Sequence, residues 1–165
     1  MSPIFDMHLH PGSVPGYPSC REASTKDAMR GVEQMLKVGE FYGITRFNFL
    51  GKFALYDTQA MTRRINDFSI AIQREWPGKV TSFCYINALH GLDESRRELD
   101  RCLGEGGLVG VKSELECNCR DPLFRPLAEK AIEYGVPLLQ HCWSHSVTPK
   151  QREPGPSDVA WLARE

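Results

Sequence analysis

The chain has 165 residues, 41% of them AVILMFWYC and 25% DEKR, with a formal net charge of −1. This is the profile of a single soluble globular domain spanning residues 1–165, with enough apolar material for a core. No run of about 18 apolar residues exists, which excludes a membrane-spanning helix, and the near-zero charge argues against a general polyanion binder. Neither nucleic acid nor a membrane is therefore an expected partner. The N-terminal MSPIFDMHLH has no basic start and no apolar core, so no secretory signal is visible and a cytoplasmic location is expected. Six cysteines spread along the chain read as reduced thiols, several of them buried as small apolar groups.

Short β-rich runs alternate with amphipathic stretches. Ile4 to His10 is the first strand candidate, followed by a Pro/Gly-rich loop from Pro11 to Ser19. Ser24 and Asp27 suggest a capping box for a helix carrying Ala28, Val32, Met35, Leu36 and Gly39, with Gly43 as its stop. Ile44–Leu50 is the second strand. Met61, Ile65, Phe68 and Ile72 repeat at helical spacing until Trp76-Pro77-Gly78. Lys79–Ile86 is a third strand, and Asp93–Leu103 a charged helix closed by Gly104, Gly106 and Gly107. Leu108–Glu114 is a fourth strand. Phe124, Leu127, Ala128, Ala131 and Ile132 mark a fourth helix that ends at Gly135, and Pro126 is tolerated in its first turn. Val136–Trp143 is the fifth strand, and Ser157 is the expected N-cap of a last helix over residues 158–165. Five β-α units with strand starts about 30 to 40 residues apart predict an α/β fold with a parallel sheet, either a barrel or doubly wound.

The sharpest chemical signal is Asp6-x-His8-x-His10 at the end of the first strand. Residues two apart on a strand face the same way, so two imidazoles share a face beside a loop. Neutral imidazoles are good ligands for Zn²⁺ and similar ions, and a carboxylate of the same parity can fix an imidazole tautomer. The bland alternative is a solvated strand end. His141 closes the fifth strand, and in a parallel α/β sheet all such ends lie on one side, so His8, His10 and His141 can converge. Lys112, at the end of the fourth strand, is a catalytic candidate. It can bind an anionic substrate, stand beside a metal-bound carboxylate, or bridge metals after carboxylation. It can equally serve only in an ion pair with Glu114 or Glu116.

These residues together resemble the amidohydrolase superfamily, in its amidohydrolase-related branch of metal-dependent TIM-barrel hydrolases and decarboxylases. The match rests on Asp6, His8 and His10, on the Gly-Leu-Val-Gly-Val-Lys strand at 107–112, and on Asp121–Leu127 leading through Tyr134–Pro137 to the strand of His141. The resemblance implies a (β/α)8 barrel, of which about five units are present, since such a barrel needs about 250 residues. It implies His8, His10 and His141 as metal ligands, with Lys112 at the fourth-strand place. It implies a divalent ion, Zn²⁺ first and Mn²⁺ second, and a small-molecule substrate. The histidine after strand six and the aspartate after strand eight that the family uses have no counterpart here; His145 and Asp158 do not replace them. The activity implied is hydrolysis of an amide, ester or lactone by metal-activated water, or non-oxidative decarboxylation of an aromatic or unsaturated acid on the same barrel.

Three other readings stay open. One is a phosphoesterase of the polymerase-and-histidinol-phosphatase type, whose further ligand motifs are not found. The second is a structural zinc module of Cys117, Cys119, Cys142 and His145. The third is a non-catalytic half-barrel that associates with itself or with a completing chain through its open sheet edges.

Overall fold

A computed structural model describes residues 3–10, 15–21, 23–51, 58–114, 116–142 and 154–165. The strands are β1 (Ile4–Leu9), β2 (Ile44–Leu50), β3 (Val80–Ile86), β4 (Val111–Ser113) and β5 (Leu138–Gln140). The helices are α1 (Thr25–Phe41), α2 (Gln59–Glu75), α3 (Leu92–Leu99), α4 (Arg125–Glu133) and α5 (Pro156–Leu162). All neighbouring strands pair in parallel, in the order β1-β2-β3-β4-β5. The sheet curls with its helices into part of a barrel, one of the two parallel architectures the alternation allows and the one the family resemblance implies. All C-terminal strand ends therefore lie at one rim.

Local chemistry explains most of the elements. Ser24 caps α1 by accepting the Asp27 amide at 3.2 Å, but the Asp27 carboxylate takes the Ser24 hydroxyl rather than its amide, so the box is half made. Thr58 caps α2 by accepting the Met61 amide. The inner faces of α1 and α2 bury Val32, Leu36, Ile65 and Phe68 against Phe47 and Phe49 of β2. A second cluster joins α3 and α4 to β3 and β4 through Cys84, Leu99, Val111, Phe124 and Leu127. Cys20, Cys84, Cys102, Cys117 and Cys119 are buried and form no disulfide, and Cys142 is exposed.

The differences from expectation have physical causes. The third helix ends in a π-helical turn, Asp100–Glu105, and the Leu108 amide returns to the Cys102 carbonyl at 3.0 Å. That bond draws Leu108 away from the ladder, and β4 is three residues long rather than seven. Gly110 lies beneath the Phe83 ring, where a Cβ would stand 2.5 Å from it. β5 is also short, because the Val136 amide bonds the Ala131 carbonyl at the end of α4. His141 still extends the pairing by donating its amide to Ser113 at 2.9 Å. The N-cap of α5 is Gly155, not Ser157: Pro156 takes the first helical position and Asp158 accepts the Gly155 amide at 2.9 Å. The predicted 11–19 loop is described only from Pro15, and Trp143 and His145 lie outside the described residues.

Candidate functional site

β1 carries the first two candidate ligands, and its pairing with β2 is irregular. Asp6 lies opposite Phe47 and Leu9 opposite Phe49, so β1 holds one extra residue between them. This bulge breaks the strict alternation that would set Asp6 beside both imidazoles. The Asp6 carboxylate instead accepts the backbone amide of His8 at 3.0 Å, which pins the bulge and corrects the expected tautomer role. Past the bulge, His8 and His10 face each other. Their Nε2 atoms are 3.1 Å apart and their rings meet edge to face, with centroids 4.9 Å apart.

His8 is exposed, whereas His10 turns inward. Burial and the neighbouring His8 hold the His10 pKa below the ordinary histidine value, with Glu114 pulling the other way and Lys112 adding to the fall. The ring therefore senses the end of β4 across the rim. His10 Nδ1 is buried without a hydrogen bond.

At the end of β4, Lys112 and Glu114 are each only 1% exposed. The Lys112 ammonium is 2.8 Å from Glu114 Oε1 and donates to the Ser113 carbonyl at 2.9 Å. Burial pushes its pKa down, and Glu114 and Glu116 oppose that fall. The ion pair weighed for Lys112 is thus formed with Glu114. Glu116 is buried as well and accepts the hydroxyl of the fully buried Tyr85.

His141, at the end of β5, points Nδ1 toward Glu114 Oε2 at 3.4 Å. The Gln140 amide bonds the carbonyls of both Glu114 and His141, at 3.0 and 2.9 Å, and locks the two strand ends together.

The sequence-derived residues thus fall into two groups on one rim: the His8–His10 pair, and the Lys112–Glu114–His141 chain. Among the described residues, no three His, Cys, Asp or Glu side chains are arranged to hold a metal ion. The His8–His10 pair by itself fits two ligands of a divalent ion, since nitrogens bound at about 2.0–2.1 Å stand roughly 3 Å apart. Cys117 and Cys119 are buried in the second core cluster and Cys142 is exposed. Asp158 serves structure: it accepts from Asn118, Arg120 and Gly155 and fastens α5 to the loop before α4. Sequence reasoning named Glu114 and Glu116 only as partners of Lys112 and did not name Tyr85. The available signal was the even spacing of 112, 114 and 116, which places three charges on one side of an apolar strand end.

No protein-family model matches the chain, and no curated protein matches it in sequence. Solved structures do match in fold. A 2,6-dihydroxybenzoate decarboxylase from Rhizobium superposes with a TM-score of 0.62 at 18% identity, over 91% of this chain and 53% of that one. An amidohydrolase II gives 0.59 at 13% identity, over 88% and 52%. A probable 2-pyrone-4,6-dicarboxylic acid hydrolase from Acinetobacter baumannii gives 0.51 at 12% identity, over 84% and 49%. This chain spans about half the length of each. It has the fold that these decarboxylase and hydrolase structures share over that half: five β/α units of a TIM-type barrel.

Proposed function

We propose that the chain is the metal-binding part of a metal-dependent hydrolase acting on the amide, ester or lactone carbonyl of a small molecule. The observation that carries this reading is the approach of His8 Nε2 and His10 Nε2 to 3.1 Å at the C-terminal rim of a parallel α/β sheet. His141 on the same rim is the third ligand, and imidazole donors suit Zn²⁺ first and Mn²⁺ second. A divalent ion bound there supplies Lewis acidity, lowering the pKa of water and polarising a carbonyl.

The chain's own residues prepare that site. Burial favours the neutral form of His10, the form in which imidazole donates to a metal. Asp6 holds the backbone of the bulge that aims His8. Lys112 balances the Glu114 charge beneath the rim, so its contribution is electrostatic. A second reading, decarboxylation of an aromatic or unsaturated carboxylic acid, is favoured by the fold likeness to the dihydroxybenzoate decarboxylase.

Metal content measured on the wild-type chain and on a His8→Ala/His10→Ala variant tests the site. Zinc in the first and none in the second is expected; equal metal in both overturns the reading. Carbon dioxide release from aromatic acids, set against ester and lactone hydrolysis, separates the two chemistries. The reading also includes a partner at the sheet edges, either a second copy or a completing chain. Among the described residues, β1 and β5 are each paired on one side only, and Ile4, Phe5 and Met7 of β1 are exposed. A strictly monomeric chain in sedimentation velocity contradicts that part.

A further inference from the structure

Among the described residues, His10 Nδ1 and Glu114 Oε2 are buried on the rim without a hydrogen bond, as is Gln140 Oε1. Glu114 Oε2 is the most costly, because a buried carboxylate oxygen without a donor keeps its full desolvation penalty. Its other oxygen is held by Lys112 at 2.8 Å. The group within reach of Oε2 is His141 Nδ1, at 3.4 Å. A shift of a few tenths of an ångström turns this contact into a hydrogen bond.

The surroundings leave Glu114 little freedom to do anything else. Its side chain is 2% exposed. Its carbonyl is tied by the Gln140 amide, which also takes the His141 carbonyl, so the two strand ends move as one. The His141 amide is fixed on Ser113, the residue before Glu114. Backbone and side-chain contacts therefore both set the His141 ring against this carboxylate. The other acidic groups nearby are engaged elsewhere: Asp6 with the His8 amide, and Glu116 with the Tyr85 hydroxyl.

We propose that Glu114 is the positioning residue of the site: its carboxylate, anchored on Lys112, takes the Nδ1–H of His141 and so assigns Nε2 as the donor nitrogen of that ring. The purpose of this arrangement rests on the metal reading given above; its geometry does not. A ligand imidazole whose second nitrogen is bonded to a carboxylate has one tautomer and one orientation, and losing such a partner costs roughly 10- to 100-fold in metal affinity. Strand parity offered Asp6 for such a role toward His8 and His10; the role proposed for Glu114 is toward His141, on the adjacent strand.

The first test needs no metal, and a variant only to assign the signals. Long-range ¹H–¹⁵N correlation spectra of the metal-free chain at about pH 8, above the ordinary histidine pKa, report the tautomer of each imidazole. His141, identified by the loss of its signals in His141→Asn, is expected as the Nδ1–H form. The Nε2–H form in the wild-type chain overturns the proposal. The second test uses Glu114→Gln with Lys112→Met, which removes the carboxylate without leaving a buried ammonium unpaired. The expected result is a mixed His141 tautomer and a Zn²⁺ dissociation constant raised roughly 10- to 100-fold. Unchanged tautomer and unchanged affinity overturn the proposal. If wild type and His8→Ala/His10→Ala hold equal zinc, the metal reading fails, while the His141 tautomer still decides the role of Glu114.

Discussion

Asn66 on α2 grips both backbone groups of Tyr85 on β3. Its side-chain amide donates to the Tyr85 carbonyl at 3.0 Å, and its oxygen accepts the Tyr85 amide at 2.7 Å. A helix side chain thus supplies bonds that a sheet neighbour otherwise makes, and it holds the residue whose hydroxyl reaches Glu116 under the rim. Asn66 is fully buried, so removing it leaves a backbone donor and acceptor unpaired. Asn66→Ala is expected to cost about 3 kcal/mol, or roughly 6–12 °C in Tm for a chain of this size. Asn66→Asp is expected to do no better despite its shape: it loses the donor to Tyr85 and sets a carboxylate against Glu98, now 2.8 Å from the Asn66 amide. Urea unfolding of both variants checks this; an Asp variant as stable as wild type contradicts it.

Glu98 is expected to give the fold acid sensitivity. Burial works against its charge, but two bonds from Arg101 at 2.9 and 2.7 Å and one from Asn66 outweigh it and hold its pKa below the ordinary glutamate value. A carboxyl whose folded pKa lies below its unfolded value stabilises the fold fully above the unfolded value. That contribution is lost as pH falls through the folded one. Arg101 stays charged throughout, its pKa raised further by the Glu98 bonds. Glu98→Gln is therefore expected to be less stable than wild type by about 3 kcal/mol near pH 7, with the gap narrowing as pH falls below about 4.5. Denaturant midpoints measured across that range test the slope. A gap that widens in acid contradicts the assignment.

The alternation of β and α was legible because each helix announces itself by an apolar stripe and a cap or stop, as Thr58 and Gly135 do, and each strand by a β-branched or aromatic run. The lengths of β4 and β5 were not. Their first residues spend their amides on the preceding helices, Leu108 on Cys102 and Val136 on Ala131, a tertiary choice that leaves the local pattern unchanged. The placing of His8, His10, Lys112 and His141 on one rim followed from parallel topology alone. The role of Asp6 did not follow, since a single extra residue in β1 resets the parity on which it rested. Glu114 was hidden because its partners, Lys112 and His141, lie on adjacent strands far apart in sequence.

Lys112 and Glu114 offer the sharpest energetic test of the rim. Both are 1% exposed, and their ion pair is 2.8 Å long. Taking two charges out of water costs several kcal/mol each, so the pair as a whole adds little, but removing one partner strands the other. Lys112→Met is expected to cost about 3–5 kcal/mol, and Glu114→Gln a similar amount. The double variant is expected to recover most of that loss, since its two neutral side chains keep the volume without the buried charge. Measured by urea unfolding, the cycle then gives a coupling energy approaching the sum of the two single effects. Simple additivity of the two losses means that the charges do not depend on each other. The burial that depresses the Lys112 pKa sharpens the expectation. In Glu114→Gln the ammonium loses its partner and deprotonates more readily, so that variant is expected to regain stability as pH rises. Stability of Glu114→Gln that rises with pH, and a flat difference for the double variant, identify the pair as the source of the coupling.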